Sequence, residues 1–200
     1  MNRRRIDGKC PPVPLLRRLL LFFGVTVVSM AVDQATKQVA TAALKGQPPR
    51  MYLGDVVRLL WAQNEGAFLS LGASLPDGAR YWVLTIGVGV LLLSLTVYAL
   101  ASKALDGIQV ASYALIASGG FSNWIDRARF DGSVVDFMQL GIGATPLTGV
   151  FNVADLAILG GIGVLFWHGW RAERRAKALA KSAGGAPGPD ASSRGSPPGT

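Results

Sequence analysis

The stretch FNVADLAILGGIGVLFW, residues 151–167, is almost wholly apolar, yet Asn152 and Asp155 stand at its start. Continued to Trp170, it meets the ~20 residues that a helix needs to cross ~30 Å of hydrocarbon. An aspartate within such a span costs about 2.5–3.5 kcal/mol. A carboxylate there asks for a reason other than folding. Three comparable segments precede it, at about 15–44, 81–101 and 108–125. Half of the 200 residues are hydrophobic, only 16% are charged, and the mean hydropathy is +0.35. That is the composition of an integral membrane protein.

The net charge of +8 is placed at the two ends. Arg3, Arg4, Arg5, Lys9, Arg17 and Arg18 precede or open the first span. Arg171, Arg174, Arg175, Lys177, Lys181 and Arg194 follow the last. Basic ends flanking apolar spans follow the positive-inside rule and argue against a nucleic-acid partner. Four crossings put both termini, and the SKALDG link at residues 102–107, in the cytoplasm. Trp82, Trp124, Trp167 and Trp170 fall at span ends, where indoles favour the headgroup level. The first run is followed by DQATK rather than by a small-residue cleavage site, so it reads as a retained span. The single cysteine, Cys10, excludes an intramolecular disulfide and a cysteine metal cluster.

The fold class expected is an all-α integral membrane protein of four transmembrane helices with a small extracytoplasmic β element. Residues 1–14 form a basic cytoplasmic N-terminus and residues 15–170 the membrane domain. Residues 45–80 are too long for a structureless loop and contain VVRLLWA and GAFLSLG, so the β element is expected there. A second outer loop links the third and fourth spans. Residues 171–200 are basic, then rich in Gly, Pro and Ser, a composition that cannot bury a core and is expected to be disordered.

Topology then assigns depth to the polar residues. Asp33 lies fourteen residues beyond Leu19, roughly 21 Å further out at ~1.5 Å per residue. Asn123 and Asp126 end the third span and Asn152 and Asp155 begin the fourth, all on the outer side. Asp136 sits in the outer loop, in SVVDFMQL, and NEGAF in the first outer loop adds Asn64. Asp33 and Lys37 are i,i+4 and can pair; Asn123, Asp126 and Arg127 share a helix face, as do Asn152 and Asp155. Paired ions of this kind lower the cost of burial.

Asp136 and Asp155 lack an obvious local cation and have apolar neighbours, which raises a carboxyl pKa. Two such groups in contact share one proton. One then takes a proton from water while the other protonates the carbonyl oxygen or leaving group. This chemistry needs no metal, no cofactor and no Ser or Cys nucleophile. Intramembrane acids also mark ion pathways, so a small proton-coupled or cation carrier is the competing class. A carrier needs polar residues through both membrane halves, and the cytoplasmic halves of spans two to four are almost wholly apolar.

VDQATK (32–37), NEGAFLSLG (64–72), GGFSNWIDR (119–127), VVDF (134–137) and FNVAD (151–155) occur in the order found in lipoprotein signal peptidase, signal peptidase II, which this chain resembles over about residues 15–170. The resemblance implies an aspartic endopeptidase of the bacterial cytoplasmic membrane, sensitive to globomycin. Such an enzyme cuts a prolipoprotein just before its diacylglyceryl-cysteine. It implies Asp136 and Asp155 as the catalytic pair, with Asp33, Lys37, Asn64, Gly66, Asn123, Asp126, Arg127 and Asn152 lining or bracing the site. It also implies an outer β-cradle. The expected partners are the lipidated prolipoprotein and membrane lipid, and the enzyme is expected to be monomeric. Phe121 and Ser122 depart from the smaller or aliphatic residues expected in their motif.

Several residues also carry simpler roles. Asn152 is a candidate cap of the fourth helix, and Asp33 with Lys37 and Asp126 with Arg127 are candidate structural pairs. Gly66, Ala67, Gly119 and Gly120 would leave room for an extended substrate backbone. Gly160, Gly161 and Gly163 are expected to permit close helix packing. His168, at the cytoplasmic end, is interfacial.

Overall fold

The computed structural model describes residues 13–65, 76 and 82–184. Helix α1 (Leu15–Leu44) leads into strands β1 (Arg50–Tyr52) and β2 (Val57–Asn64). A π-helical turn (Trp82–Gly87) opens α2 (Val88–Ala101). It is followed by α3 (Gly107–Arg129), strands β3 (Val134–Ile142) and β4 (Thr145–Pro146), and α4 (Val153–Gly184). Two compact units are distinguished, residues 1–165 and residues 166–200.

In the first unit the usual polarity of a globular fold is reversed. On α1 the buried residues include Arg18, Thr26, Asp33 and Lys37, whereas Leu16, Leu20, Val28 and Val39 are each more than 60% exposed. Water would penalise that surface; lipid favours it, and requires the polar groups inside. Helix α1 and the Val153–Lys181 part of α4 are each long and apolar enough to cross a bilayer, and Thr85–Ala101 is a shorter apolar helix.

The ends of α3 and the end of α2 have physical reasons. Asp106 caps α3 through a reciprocal capping box with Gln109, at 2.9 and 3.0 Å. Arg127 and Arg129 lie in its last turn, where cations complement the helix dipole. The carbonyl of Leu100, in the last turn of α2, and that of Ser102, just beyond it, are met by the Arg18 guanidinium of α1 at 3.0 and 2.7 Å. Phe22, Ala99, Leu105, Val110, Ala114 and Ala117 pack together at that end.

At the other end of α1, Ala40 and Leu44 pack with Phe137 against Leu59, Trp61, Met138 and Val153. This cluster seats the sheet, whose order is β1-β2-β3-β4 with every pair antiparallel. The β element expected over 45–80 is therefore only half of the sheet. The other half comes from the second outer loop, and Asp136 lies on a strand rather than in a loop. A register shift between Leu59 and Ala62 sets Ala62 opposite Asp136 and Asn64 opposite Val134.

Phe151 forms a bridge to Met138, with its N–H donating to the Met138 carbonyl at 2.7 Å. This joins the start of α4 to the middle of β3. Helix contacts explain the glycines. A Cβ on Gly119 would meet Ile158 of α4 at 2.7 Å and crowd the Ala154 carbonyl still more closely. One on Gly161 would meet the Ser112 carbonyl of α3 at 2.7 Å, but Gly160 and Gly163 face open space. Only Gly161 of the three is thus a packing position. Gly119 is one too, rather than room left for substrate.

The second unit holds the end of α4. Its helix continues through the basic stretch to Gly184, and residues 185–200 of the expected tail lie outside the described residues.

Candidate active site

The Lys37 ammonium is the centre of a buried network. It lies 2.8 Å from Asp33 Oδ2, 2.8 Å from Asp126 Oδ2, and donates to Asn123 Oδ1 at 2.8 Å. Those three acceptors match its three protons. The i,i+4 pair with Asp33 follows from the helix repeat. Asp126 turns to Lys37 across α1 and α3, a partner that spacing within α3 does not suggest. Asp126 also accepts from Gln34 Nε2 at 2.9 Å and from the Val135 N–H at 3.4 Å, tying α3 to both α1 and β3.

Asp33 spends its other oxygen on α4. Its Oδ1 accepts from the Ala154 main-chain N–H at 2.7 Å, satisfying one of the orphan donors of that helix. Its Oδ2 also accepts from Ser122 Oγ at 2.7 Å, and Ser122 Oγ accepts from Gln34 Nε2 at 3.0 Å. Gln34 and Ser122 also belong to this network, though local spacing gives neither a role. Ser122 is one of the two departures from the family motif, which was its only signal.

Asn152 and Asp155 form a capping box at the start of α4: Asp155 N–H donates to Asn152 Oδ1 and Asn152 N–H donates to Asp155 Oδ2, both at 3.0 Å. The Asn152 amide also donates to Asp136 Oδ1 at 2.6 Å and to Asn123 Oδ1 at 3.0 Å. Asn123 in turn donates to Asp155 Oδ1 at 3.0 Å. Asn64, from the end of β2, donates to Asp136 Oδ2 at 2.9 Å. The two carboxylates are thus held by one asparagine, through its side chain and its main chain. Both face a cleft of about 470 Å³, together with Asn64, Asn123 and Arg127. Gly66 lies outside the described residues; every other predicted site residue is in the network or on the cleft.

Asp136 is 2% exposed. Burial pushes its carboxyl up to about 6 from an ordinary 3.8, and the Asp155 charge adds to that; the hydrogen bonds from Asn64 and Asn152 pull the other way. Leu156, Leu159 and Ile162 of α4 also line the cleft, an apolar strip running from Asp155 along the helix. The cleft can therefore take a polar backbone at one end and an apolar chain along its side.

Comparison with known proteins gives one family. The model of signal peptidase (SPase) II matches residues 25–171. The lipoprotein signal peptidase of Sphingopyxis alaskensis is 37% identical over 153 residues, covering 76% of this chain and 83% of the relative. That of Pelodictyon phaeoclathratiforme is 30% identical over 157 residues, covering 74% and 89%. Among solved structures, a bacterial membrane enzyme determined by the in meso method has a TM-score of 0.60 at 20% identity, covering 84% of this chain and 93% of that one.

Proposed function

Because this chain belongs to the signal peptidase II family, we propose that it is an aspartic endopeptidase in which Asp136 and Asp155 are the catalytic pair. It removes signal peptides from prolipoproteins. The observation that carries the assignment of the pair is the single asparagine, Asn152, that hydrogen-bonds both carboxylates.

The dyad holds one proton between two carboxylates, since both charges in one buried site are costly. The ionised member takes a proton from a water as that water's oxygen bonds the scissile carbonyl carbon. The protonated member gives its proton to the carbonyl oxygen. Collapse of the tetrahedral intermediate breaks the C–N bond, the amine leaves with a proton, and the dyad returns to one proton. Asn64, Asn123 and Asn152 keep the carboxylates oriented through these transfers. The Lys37 network fixes the helices that carry them.

The substrate bond is the one preceding a diacylglyceryl-cysteine. The apolar strip of Leu156, Leu159 and Ile162 supports this, because a lipidated segment needs an apolar wall beside the polar centre. Four helices cross the cytoplasmic membrane as a monomer, both termini are cytoplasmic, and the dyad faces the extracytoplasmic side. The basic ends and the exposed apolar faces of α1 support that placement. The test is incubation of the purified enzyme with a diacylglyceryl prolipoprotein, with and without globomycin. Cleavage before the modified cysteine, blocked by globomycin, is expected. Equal cleavage of an unlipidated precursor would remove the lipid from the reading.

A further inference from the structure

The basic end of α4 has a feature that peptide hydrolysis does not use. Arg171, Arg174, Lys177 and Lys181 follow one another at spacings of three and four, and Trp167 and Trp170 stand four residues before Arg171 and Arg174, so one helix face displays both indoles and four of the five cations of the stretch. The opposite side is built from Ala172, Ala176, Leu179 and Ala180. The Arg171 guanidinium lies 4.5 Å from the Trp167 ring centroid, and that of Arg174 lies 3.9 Å from the Trp170 ring. These cation–π pairs hold planar, fully charged groups against the indoles. The one acid, Glu173, pairs with Lys177 at 2.6 Å, but both side chains are more than 60% exposed, so that pair is weak and exchangeable.

We propose that this face docks on the anionic headgroups of membrane phospholipids. The charge is complementary, the guanidinium fork matches a phosphate bidentately, and indoles beside cations suit the headgroup layer. Clustered Lys and Arg just beyond an apolar helix bind acidic leaflets in this way. The proposal rests on the membrane placement given above.

The test uses the full chain in nanodiscs of phosphatidylcholine alone, or with about a third of phosphatidylglycerol, and follows hydrogen exchange of the amides of residues 171–181. Anionic lipid is expected to slow exchange roughly tenfold, and about 0.5 M NaCl to abolish the effect. The triple variant Arg174→Gln, Lys177→Gln, Lys181→Gln should lose the slowing, and Arg175→Gln, off the stripe, should keep it. Equal exchange in the two lipids overturns the proposal. So does the same slowing by inorganic phosphate or an oligonucleotide in phosphatidylcholine nanodiscs, or equal loss from Arg175→Gln. Prolipoprotein cleavage in the same nanodiscs reads the enzymatic assignment separately, since its absence leaves lipid-dependent exchange intact.

Discussion

Asp33 and Ala154, 121 positions apart, are joined by a 2.7 Å hydrogen bond from the Ala154 N–H to the Asp33 carboxylate. The first helix therefore holds the start of the last one, a single residue before Asp155. Lys37 neutralises the carboxylate that does this. Lys37→Ala leaves Asp33 and Asp126 buried without a cation and should lower stability by about 3–5 kcal/mol. Thermal melting in detergent measures this; an unchanged midpoint would contradict the bracing role.

Asp136→Asn and Asp155→Asn should each reduce prolipoprotein cleavage by at least about a thousandfold, the scale of losing a proton-transfer group. Both variants should still insert and be recovered at wild-type levels. Gel-shift cleavage assays beside quantified membrane protein separate the two effects. Activity lost only in step with protein would argue against catalysis.

The raised carboxyl of Asp136 makes stability depend on pH. Between the unfolded value of 3.8 and the folded value of about 6, the folded chain binds a proton that the unfolded chain has released. Stability from this group therefore falls as pH rises through that window, by at most about 3 kcal/mol, and the loss is complete above it. Melting midpoints measured from about pH 4 to pH 7 should fall with rising pH in the wild type and fall less steeply in Asp136→Asn.

Gly119→Ala forces a methyl against Ile158 and the Ala154 carbonyl. It should cost about 1–3 kcal/mol through overpacking and lower cleavage by moving the start of α4. Gly163→Ala, which meets nothing within 4 Å, should be neutral or stabilising. The pair is read by melting and turnover.

Ser122→Ala removes a donor to Asp33 and an acceptor from Gln34. A loss of about 1–3 kcal/mol is expected, smaller than that for Lys37→Ala, and Ser122→Thr should recover part of it. Melting of the three variants side by side checks the order.

The helices were legible because a long apolar run has few alternatives, and α1 begins and ends where the first run does. The Asp33–Lys37 pair was legible because its spacing lies within one helix. Strand β3 was not. Val134, Val135, Asp136 and Phe137 are all buried, so the alternation that marks a half-exposed strand is absent. Asp126 was matched with its neighbour Arg127, whereas it also bonds Lys37 on another helix. Local spacing finds partners within an element and is blind to those the tertiary fold supplies. The roles of Gln34 and Ser122 were hidden for the same reason.

The Phe151–Met138 bridge ties the two acid-bearing elements by main-chain bonds that do not depend on the side chains of the pair, proline apart. The intervening segment, from Gly143 to Val150, supplies Thr148, Gly149 and Val150 to the rim of the cleft. Substitutions there would reshape the mouth offered to an incoming chain while the two carboxylates keep their spacing.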